Sequence, residues 1–265
     1  MKPLKKYGQH FLISPEAVQK IVSAVALNPT DAVLEIGPGR GVLTGLLAGQ
    51  AASVLAVEVD SRLAEELKKE YSFCKNLVIL NKDFLKLDLL QVLDHHGIKK
   101  LKVVANLPYY IATPILERLF AVRDRIKTIV VMVQREMAQR MAAQPGTDYG
   151  SFSVFVQYYA RVEKLFDVPP GAFFPPPKVT STVIRLTARE KPPVQIKDEE
   201  VFFKFVQKTF SQRRKMLRAV FRQAFNLDEA GLALLAAKSG IDLSRRPQTL
   251  SLPEFARLYE CFHEC

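Results

Sequence analysis

Residues that mark specialised classes of protein are scarce in this sequence. The 265 residues include only three cysteines, Cys74, Cys261 and Cys265, whose number and spacing fit neither a disulfide framework nor a metal site. We therefore expect no metal and a reducing, cytoplasmic environment. The 12 glycines and 16 prolines show no repeat and are too few for a collagen-like or disordered chain. The composition is that of an ordinary globular protein.

Long apolar segments are also absent. The longest run of strongly apolar residues extends from Ile129 to Val133, whereas a membrane helix needs about 20. The first residues carry Lys2, Lys5 and Lys6 with no apolar segment behind them, so we expect no secretory signal. These features predict a protein without a membrane partner.

Basic residues outnumber acidic ones. There are 38 Lys and Arg residues against 27 Asp and Glu, which gives a formal net charge of +11, and the pI is about 9.6. Such a balance favours a polyanionic partner, of which nucleic acid is the commonest. Charge alone does not separate this interpretation from a basic surface without a ligand.

The first 160 residues alternate between strand and helix patterns. Short runs rich in Val, Ile and Leu, with little polar alternation, are typical of parallel strands buried on both faces. Ser14-Pro15 and Thr113-Pro114 each offer an N-cap residue followed by a first-turn proline. The strand candidates are Ala32–Gly37, Ser53–Asp60, Leu77–Asp83, Lys102–Tyr109 and Lys127–Gln134. The alternation predicts an α/β fold with a doubly wound, Rossmann-like sheet.

The pattern changes after residue 160. Two strand candidates within 162–187 flank a proline-rich loop at 168–178, which we expect to lie over the edge of the sheet because prolines cannot donate to a ladder. Residues 188–198 are typical of a linker, and from about 199 onward only helical periodicity is found. We therefore predict a nucleotide-binding domain over 1–190 and a small all-α domain over 191–265.

A glycine-rich turn follows the first predicted strand. Gly37, Gly39 and Gly41 would allow a tight strand-to-helix turn and close approach of a ligand to the backbone. Glu58 ends the second predicted strand, where a carboxylate can accept hydrogen bonds from both hydroxyls of a ribose. The alternative is a purely structural turn beside an unrelated carboxylate.

The glycine spacing argues against a dinucleotide. That fingerprint is Gly-x-Gly-x-x-Gly, with a pyrophosphate on the helix N-terminus, whereas here the third glycine falls one residue early. Asp83 ends the third predicted strand, where its carboxylate could accept a hydrogen bond from an adenine amino group. Ribose and adenine contacts without a phosphate site indicate S-adenosylmethionine. A solvated carboxylate is the alternative for Asp83.

A catalytic function is most clearly indicated by the motif Asn106-Leu107-Pro108-Tyr109, at the end of the fourth predicted strand. The exocyclic amine of a base is a poor nucleophile because its lone pair is delocalised into the ring. The Asn106 side-chain oxygen and the Pro108 carbonyl could hold both amine hydrogens, and Tyr109 offers a face on which the base stacks. Catalysis would rest on positioning and electrostatics. A turn with a buried tyrosine is the alternative.

Two other stretches fit an RNA ligand. Phe174, followed by three prolines, would be an aromatic ring held out on a stiff loop, although a core phenylalanine explains it equally well. Arg214, Arg218 and Arg222 recur at i, i+4 and i+8 of a predicted helix, with Arg213 and Lys215 nearby. Such a cationic stripe can follow phosphates, and a solvated helix face is the alternative.

In their order along nearly the whole chain, these motifs resemble the ribosomal RNA adenine N6-dimethyltransferases. The resemblance rests on Gly-Gln-His-Phe-Leu (8–12), Glu-Ile-Gly-Pro-Gly-x-Gly-x-Leu-Thr (35–44), Glu58, Asp83 and Asn-Leu-Pro-Tyr (106–109). The stretches 168–179 and 210–218 resemble the KsgA type, which acts on small-subunit RNA. This chain departs from the family in having His10 where other members have Asn, and Tyr110 where Asn or His is frequent.

The resemblance implies an enzyme that uses S-adenosylmethionine to dimethylate two adjacent adenosines near the 3′ end of small-subunit (16S) RNA during ribosome assembly. It implies a methyltransferase domain followed by an RNA-binding domain, and a monomer that acts on a pre-30S particle. The implied cofactor contacts come from His10, Leu12, Gly37, Gly39, Glu58, Asp83 and Asn106. The implied base contacts come from Tyr109 and Phe174, and the catalytic motif is residues 106–109.

Three other functions compete with this one. A related enzyme class methylates large-subunit RNA and confers antibiotic resistance, but the proline loop and the arginine-rich helix argue against it. A non-catalytic RNA-binding assembly factor could keep the fold, although intact Glu58, Asp83 and Asn106 argue against degeneration. An NAD-dependent oxidoreductase is disfavoured by the glycine spacing.

Overall fold

The computed structural model describes residues 3–4, 8–108 and 111–263. The chain forms two compact units. The first comprises the described residues of Met1–Ala138 and Arg161–Ala188, and the second those of Gln139–Ala160 and Arg189–Cys265. Within the described part of the chain, no helix combines the length and hydrophobicity needed to cross a bilayer.

The first unit is built on a seven-stranded sheet in the order β4-β3-β2-β5-β6-β9-β7. The strands from β4 to β6 run parallel, and β9 pairs antiparallel with β6. The chain adds strands outward from β2 to β4 and then returns to place β5 on the other side of β2. A topological switch point therefore lies between β2 and β5. The strands are β2 (Ala32–Ile36), β3 (Ser53–Glu58), β4 (Leu77–Asn81), β5 (Leu101–Asn106), β6 (Ile126–Gln134), β7 (Ala160–Val168) and β9 (Ser181–Ala188).

The central strands are almost entirely buried. Val33, Leu34, Val54 and Val103 are fully inaccessible, because helices cover both faces of the sheet. All five strands predicted in the first 160 residues are present, each ending within three residues of the predicted position. The doubly wound α/β architecture expected from the sequence is thus the observed one.

In the described part of the first unit, five α-helices precede strand β6. They are α1 (Pro15–Val25), α2 (Thr44–Ala48), α3 (Ser61–Glu70), α4 (Leu89–His95) and α5 (Ala112–Ala121). Ser14 caps α1 as predicted, since its hydroxyl accepts the Ala17 N–H at 3.3 Å. The cap predicted at Thr113 is wrong, because α5 begins at Ala112. Pro114 is tolerated at its third position, where the N–H has no partner within the helix.

A short two-stranded ladder joins the amino-terminal segment to the proline-rich loop. Strand β1 (Phe11–Leu12) pairs antiparallel with β8 (Phe173–Phe174), so that Phe11 faces Phe174 and Leu12 faces Phe173. The Ile13 N–H extends the ladder to the Ala172 carbonyl at 2.8 Å. The proline-rich loop therefore pairs with residues near the chain start, a contact that the sequence did not indicate.

The second unit is helical. It contains α7 (Ser151–Tyr159), α8 (Glu199–Thr209), α9 (Leu217–Ala224), α10 (Glu229–Ser239) and α11 (Leu252–His263), and it receives the end of α6 (Arg135–Ala142). Its core is aromatic: the Phe205 ring lies 5.5 Å from Tyr259 and 5.9 Å from Phe221, centroid to centroid. Edge-to-face and tilted pairs of this kind add to the energy of burial alone.

The division into units differs from the predicted boundary at 190. Residues 139–160 group with the carboxy-terminal helices because α7 packs on α8: Phe155 meets Phe203 at 5.1 Å between centroids, and the Tyr159 hydroxyl donates to Glu199 at 2.7 Å. These contacts join residues 48 and 40 positions apart, and the composition of a linker does not reveal such distant partners. The roles predicted for the two domains, methyl transfer for the first and RNA binding for the second, stay predictions.

Candidate active site

A cavity of about 310 Å³ opens in the first unit at the carboxyl ends of β2, β3, β4 and β5. This is where open α/β sheets bind ligands. Nine of the predicted site residues line it: His10, Leu12, Gly37, Gly39, Glu58, Asp83, Asn106, Leu107 and Pro108. The structure thus brings those predicted cofactor-binding and catalytic residues that it describes to one cavity.

The glycine turn forms one wall of the cavity and is tied to Glu58. The Gly39 N–H donates to one carboxylate oxygen of Glu58 at 3.0 Å, and the Asp60 N–H donates to the other at 2.9 Å. Gly37 has φ +69° and no atom within 4 Å of where a Cβ would stand, which leaves room for a ligand. Burial raises the pKa of Glu58, although these backbone hydrogen bonds act to lower it. The carboxylate keeps acceptor capacity beyond these two bonds, which suits a ribose diol.

Asp83 follows β4 and also lines the cavity. Its Oδ1 accepts the Leu85 N–H at 3.0 Å and caps a short 3₁₀ turn at Phe84–Lys86. The half-buried carboxylate lines the cavity beside Phe84 and Val59. A carboxylate among apolar lining residues can accept from the amino group of a planar base.

Asn106 is oriented by the amino-terminal segment. Its Nδ2 donates to the backbone carbonyl of His10 at 3.2 Å. Because the amide group is planar, fixing Nδ2 also fixes the direction of Oδ1, which is left as the acceptor. The Pro108 carbonyl, the second predicted acceptor, already receives the Ile111 N–H at 3.1 Å. It keeps one lone pair for another donor.

Some predicted site residues lie elsewhere. Tyr109, like Lys2, Lys5 and Lys6, lies outside the described residues. Phe174 is 52% exposed on β8 next to the cavity-lining Phe173, so the alternative of a core phenylalanine does not hold.

The predicted arginine stripe needs correction. Helix α9 begins only at Leu217, so Arg214 and Lys215 precede it and the i, i+4, i+8 series does not lie on one helix. The helix starts there because the N–H groups of Leu217 and Arg218 donate to carbonyls of residues 245 and 243. Arg218 pairs with Glu229 at 2.9 Å, and Arg222 pairs with the same carboxylate.

The other members of the basic cluster differ in their surroundings. Arg213 donates to the carbonyls of Thr147 and Tyr149, at 2.8 and 3.1 Å, and so has a structural role. Lys215 donates to Gln223 at 2.7 Å. Arg214 is exposed on the turn before α9. The phosphate role of these residues stays a prediction.

Glu35 is a site residue that the sequence reasoning overlooked. It lines the cavity while being only 2% exposed, and its Oε2 accepts the Thr44 hydroxyl at 2.7 Å. Burial raises the pKa of Glu35 to about 7, and the nearby Glu58 carboxylate adds to this shift. The sequence did contain an indication of this site, because Glu35 interrupts the apolar run Val33-Leu34-Glu35-Ile36. Carboxylates are rarely buried unless a partner or a function requires it.

The residues present fit S-adenosylmethionine. Three carboxylates, those of Glu35, Glu58 and Asp83, line a cavity whose predicted ligand carries positive charge on its sulfonium and ammonium groups. Gly37 leaves open space against the backbone. Among the described residues, no group of three or more His, Cys, Asp or Glu side chains is placed to hold a metal ion. The fold and the site define a class I methyltransferase.

Comparisons with known proteins specify the family. A family model described as ribosomal RNA adenine dimethylase matches residues 2–263. A ribosomal RNA small subunit methyltransferase A of Staphylococcus epidermidis is 42% identical over 262 residues, covering 97% of this chain and 88% of the relative. The chain belongs to the ribosomal RNA adenine dimethylase family. It is an S-adenosylmethionine-dependent methyltransferase, and the predicted fold class, enzyme class and cofactor are confirmed.

Solved structures agree with this assignment. A dimethyladenosine transferase from Plasmodium falciparum superimposes with a TM-score of 0.80 at 27% identity, over 96% of this chain and 98% of the other. The 23S rRNA methyltransferase ErmE gives a TM-score of 0.74 at 24% identity, over 96% and 99% of the two chains. The second likeness shows a shared fold alone.

Proposed function

We propose that this enzyme dimethylates the N6 amines of two adjacent adenosines near the 3′ end of small-subunit (16S) ribosomal RNA, as a step of ribosome biogenesis. The observation that carries the reaction chemistry is the orientation of Asn106 at the cavity, with its amide nitrogen engaged by His10. The small-subunit substrate is supported by the name of the 42% identical relative, a ribosomal RNA small subunit methyltransferase A. The likeness to ErmE, a 23S rRNA methyltransferase, is one of fold alone and does not support the large-subunit alternative.

The proposed roles follow from the acceptors that the site presents. Asn106 Oδ1 and the Pro108 carbonyl would accept the two amine hydrogens of the adenine, so that the nitrogen lone pair is directed out of the ring plane. Tyr109 and Phe174 would stack on the two faces of the base, each stacking contact contributing about 1–3 kcal/mol. When bound, S-adenosylmethionine supplies an electrophilic methyl group to this lone pair and leaves as S-adenosylhomocysteine. The displaced amine proton passes to solvent.

The proposed cofactor contacts divide the cavity into subsites. Glu58 would accept the ribose hydroxyls, Asp83 the adenine amino group, and the turn at Gly37 and Gly39 would lie against the methionine portion. His10 and Leu12 would close the cavity from the amino-terminal side. All of these residues line one cavity within one compact unit, which supports a single binding event.

We place the reaction in the cytoplasm, on a pre-30S particle, with a monomeric enzyme. The exposed basic residues around α9, Arg214 above all, would contact phosphates beside the target loop and are the proposed RNA-binding residues of the second domain, over 191–265. Sedimentation of the enzyme alone would test the monomeric state, and sedimentation with purified pre-30S particles would test binding to these particles. A stable dimer, or binding to mature subunits only, would contradict them.

The decisive experiment is transfer of labelled methyl groups to purified unmodified subunits. We expect incorporation into small subunits, mapping to two adjacent dimethyladenosines, and none into large subunits. Asn106→Ala should lower the rate about 100- to 1,000-fold, the effect of removing one oriented polar group from an active site. Asn28→Ala, at an exposed asparagine that does not line the cavity, is the matched control.

The other outcomes separate the competing functions. Methylation of large subunits in place of small ones would establish the antibiotic-resistance type of enzyme. Binding of small subunits without any transfer by the wild-type protein would indicate the non-catalytic assembly factor. Either result would overturn the proposal.

A further inference from the structure

The His10 side chain contacts the proline-rich loop rather than only lining the cavity. Its Nδ1 lies 2.7 Å from the backbone carbonyl of Pro175, the residue that follows the exposed ring of Phe174. A carbonyl oxygen can only accept, so the Nδ1 of His10 must carry the proton and donate. The side chain of His10 thereby bonds a loop 165 positions away in sequence.

The backbone of the same residue holds the amide of Asn106. The His10 carbonyl accepts from Asn106 Nδ2 at 3.2 Å. One residue, through its side chain and its carbonyl, is thus bonded both to the asparagine proposed to bind the target amine and to the loop that carries the proposed stacking ring. The β1–β8 ladder, with Phe11 opposite Phe174, continues this connection.

The bond needs an N–H donor at the δ position, which the asparagine of the family pattern that this chain resembles would also offer. Both Nδ1 of histidine and Nδ2 of asparagine are attached to Cγ, so the two side chains present a donor at nearly the same distance from the backbone. An N–H donor is therefore kept when histidine replaces asparagine. A side chain needed only to fill space beside the cofactor would not have to keep a donor.

We propose that His10 is a positioning residue: its Nδ1–H holds the Phe174–Pro175 segment at a fixed distance from Asn106 Oδ1, so that the stacked base meets the acceptor of its amine. This inference rests on the proposed function for the roles of Phe174 and Asn106. The hydrogen bond itself does not depend on the proposed function.

The test compares two substitutions of similar size. His10→Asn retains a donor at the δ position, whereas His10→Leu places a methyl group there. With saturating RNA and cofactor, we expect His10→Leu to lower kcat about 10- to 100-fold, the range that small misplacements of reacting groups cause. His10→Asn should restore at least about a third of wild-type kcat. The loss of kcat in His10→Leu should exceed any loss of affinity for S-adenosylhomocysteine, to which His10 is also proposed to contribute.

Each other kinetic outcome overturns the inference. Equal losses in both variants, or an unchanged kcat in His10→Leu, would show that the donor is not what matters. A loss confined to S-adenosylhomocysteine affinity would assign His10 to cofactor binding alone. If His10 instead removed a proton from the substrate, His10→Asn would be as inactive as His10→Leu and rescue would fail.

Hydrogen exchange of the free protein separates this inference from the proposed function. We expect the amides of Ala172, Phe173, Phe174 and Lys178, the non-proline residues of this segment, to exchange at least about tenfold faster in His10→Leu than in wild type or His10→Asn, while exchange in α1 is unchanged. If the wild-type enzyme methylates small subunits but exchange is the same in all three proteins, only the positioning role fails. If exchange behaves as expected but small subunits are not methylated, the proposed substrate fails and the loop contact stands.

Discussion

The Glu58 carboxylate accepts the Gly39 N–H at 3.0 Å, and this bond joins the end of β3 to the glycine turn after β2. Gly39 has φ +60°, and a Cβ there would come within 3.3 Å of the Phe11 ring. The turn is therefore held between a carboxylate and an aromatic side chain. Glu58 stabilises the wall of the cavity as well as offering acceptors to a ligand.

Glu58→Gln should weaken cofactor binding by about 10- to 100-fold. An amide has one acceptor oxygen, so its NH₂ group must face one of the two backbone N–H donors that Glu58 now satisfies, and a charge-assisted bond to a ribose is lost as well. Isothermal titration with S-adenosylhomocysteine measures the change. Glu65→Gln, at an exposed position of α3, is the control, and an equal loss there would contradict the assignment of Glu58.

Asp83→Asn should lower cofactor affinity about tenfold or more while leaving RNA affinity unchanged. The asparagine oxygen can still cap the 3₁₀ turn by accepting the Leu85 N–H. The amide nitrogen then takes the place of the oxygen proposed to accept from the adenine amino group, and two donors face each other. Titrations with S-adenosylhomocysteine and with small subunits give the two affinities. Similar losses of both would mean that the carboxylate is misassigned.

The sequence predicted those features whose determinants are local. The cap at Ser14 depends on neighbouring residues, and the positions of Glu58, Asp83 and Asn106 follow from their location at or just after the carboxyl ends of strands. Distant partners were not predictable: the bond from Asn106 to His10 spans 96 positions. The false helical continuation through Arg214 has the same origin, because carbonyls of residues 243 and 245 determine where α9 begins.

Glu229→Gln should increase RNA affinity and steepen its salt dependence. Glu229 neutralises Arg218 and Arg222, and such exposed pairs are weak enough for a phosphate to replace the carboxylate. Each added phosphate contact should change the slope of log K against log salt by about 0.7–0.9. Arg214→Ala should change the slope in the opposite direction by one such step.

Filter binding of small subunits between about 50 and 200 mM salt measures these slopes. The control is Glu260→Gln, which makes the same charge change at an exposed position of α11. If Glu260→Gln and Glu229→Gln raise affinity equally, the effect is one of net charge. If neither Glu229→Gln nor Arg214→Ala changes the slope, the region around α9 is a solvated surface.

Glu35→Gln should make the stability of the protein less dependent on pH. The pKa of Glu35 is about 7 in the fold, against 4.5 for a free side chain, chiefly because burial disfavours the charged form. Between these values the native state binds more protons than the unfolded state, so the free energy of unfolding falls as pH rises through this range. The shift corresponds to a loss of about 3 kcal/mol, complete by about pH 8.

The amide cannot titrate, yet its oxygen can still accept the Thr44 hydroxyl that now donates to Glu35. We therefore expect the stability of Glu35→Gln relative to wild type to increase by about 2–3 kcal/mol from pH 5 to pH 8. Denaturant unfolding of both proteins without cofactor, at several pH values, measures this difference. Glu65→Gln should follow the wild-type curve. Parallel curves for Glu35→Gln and wild type would mean that the fold does not raise the pKa of Glu35, so that its side chain is charged over this whole pH range.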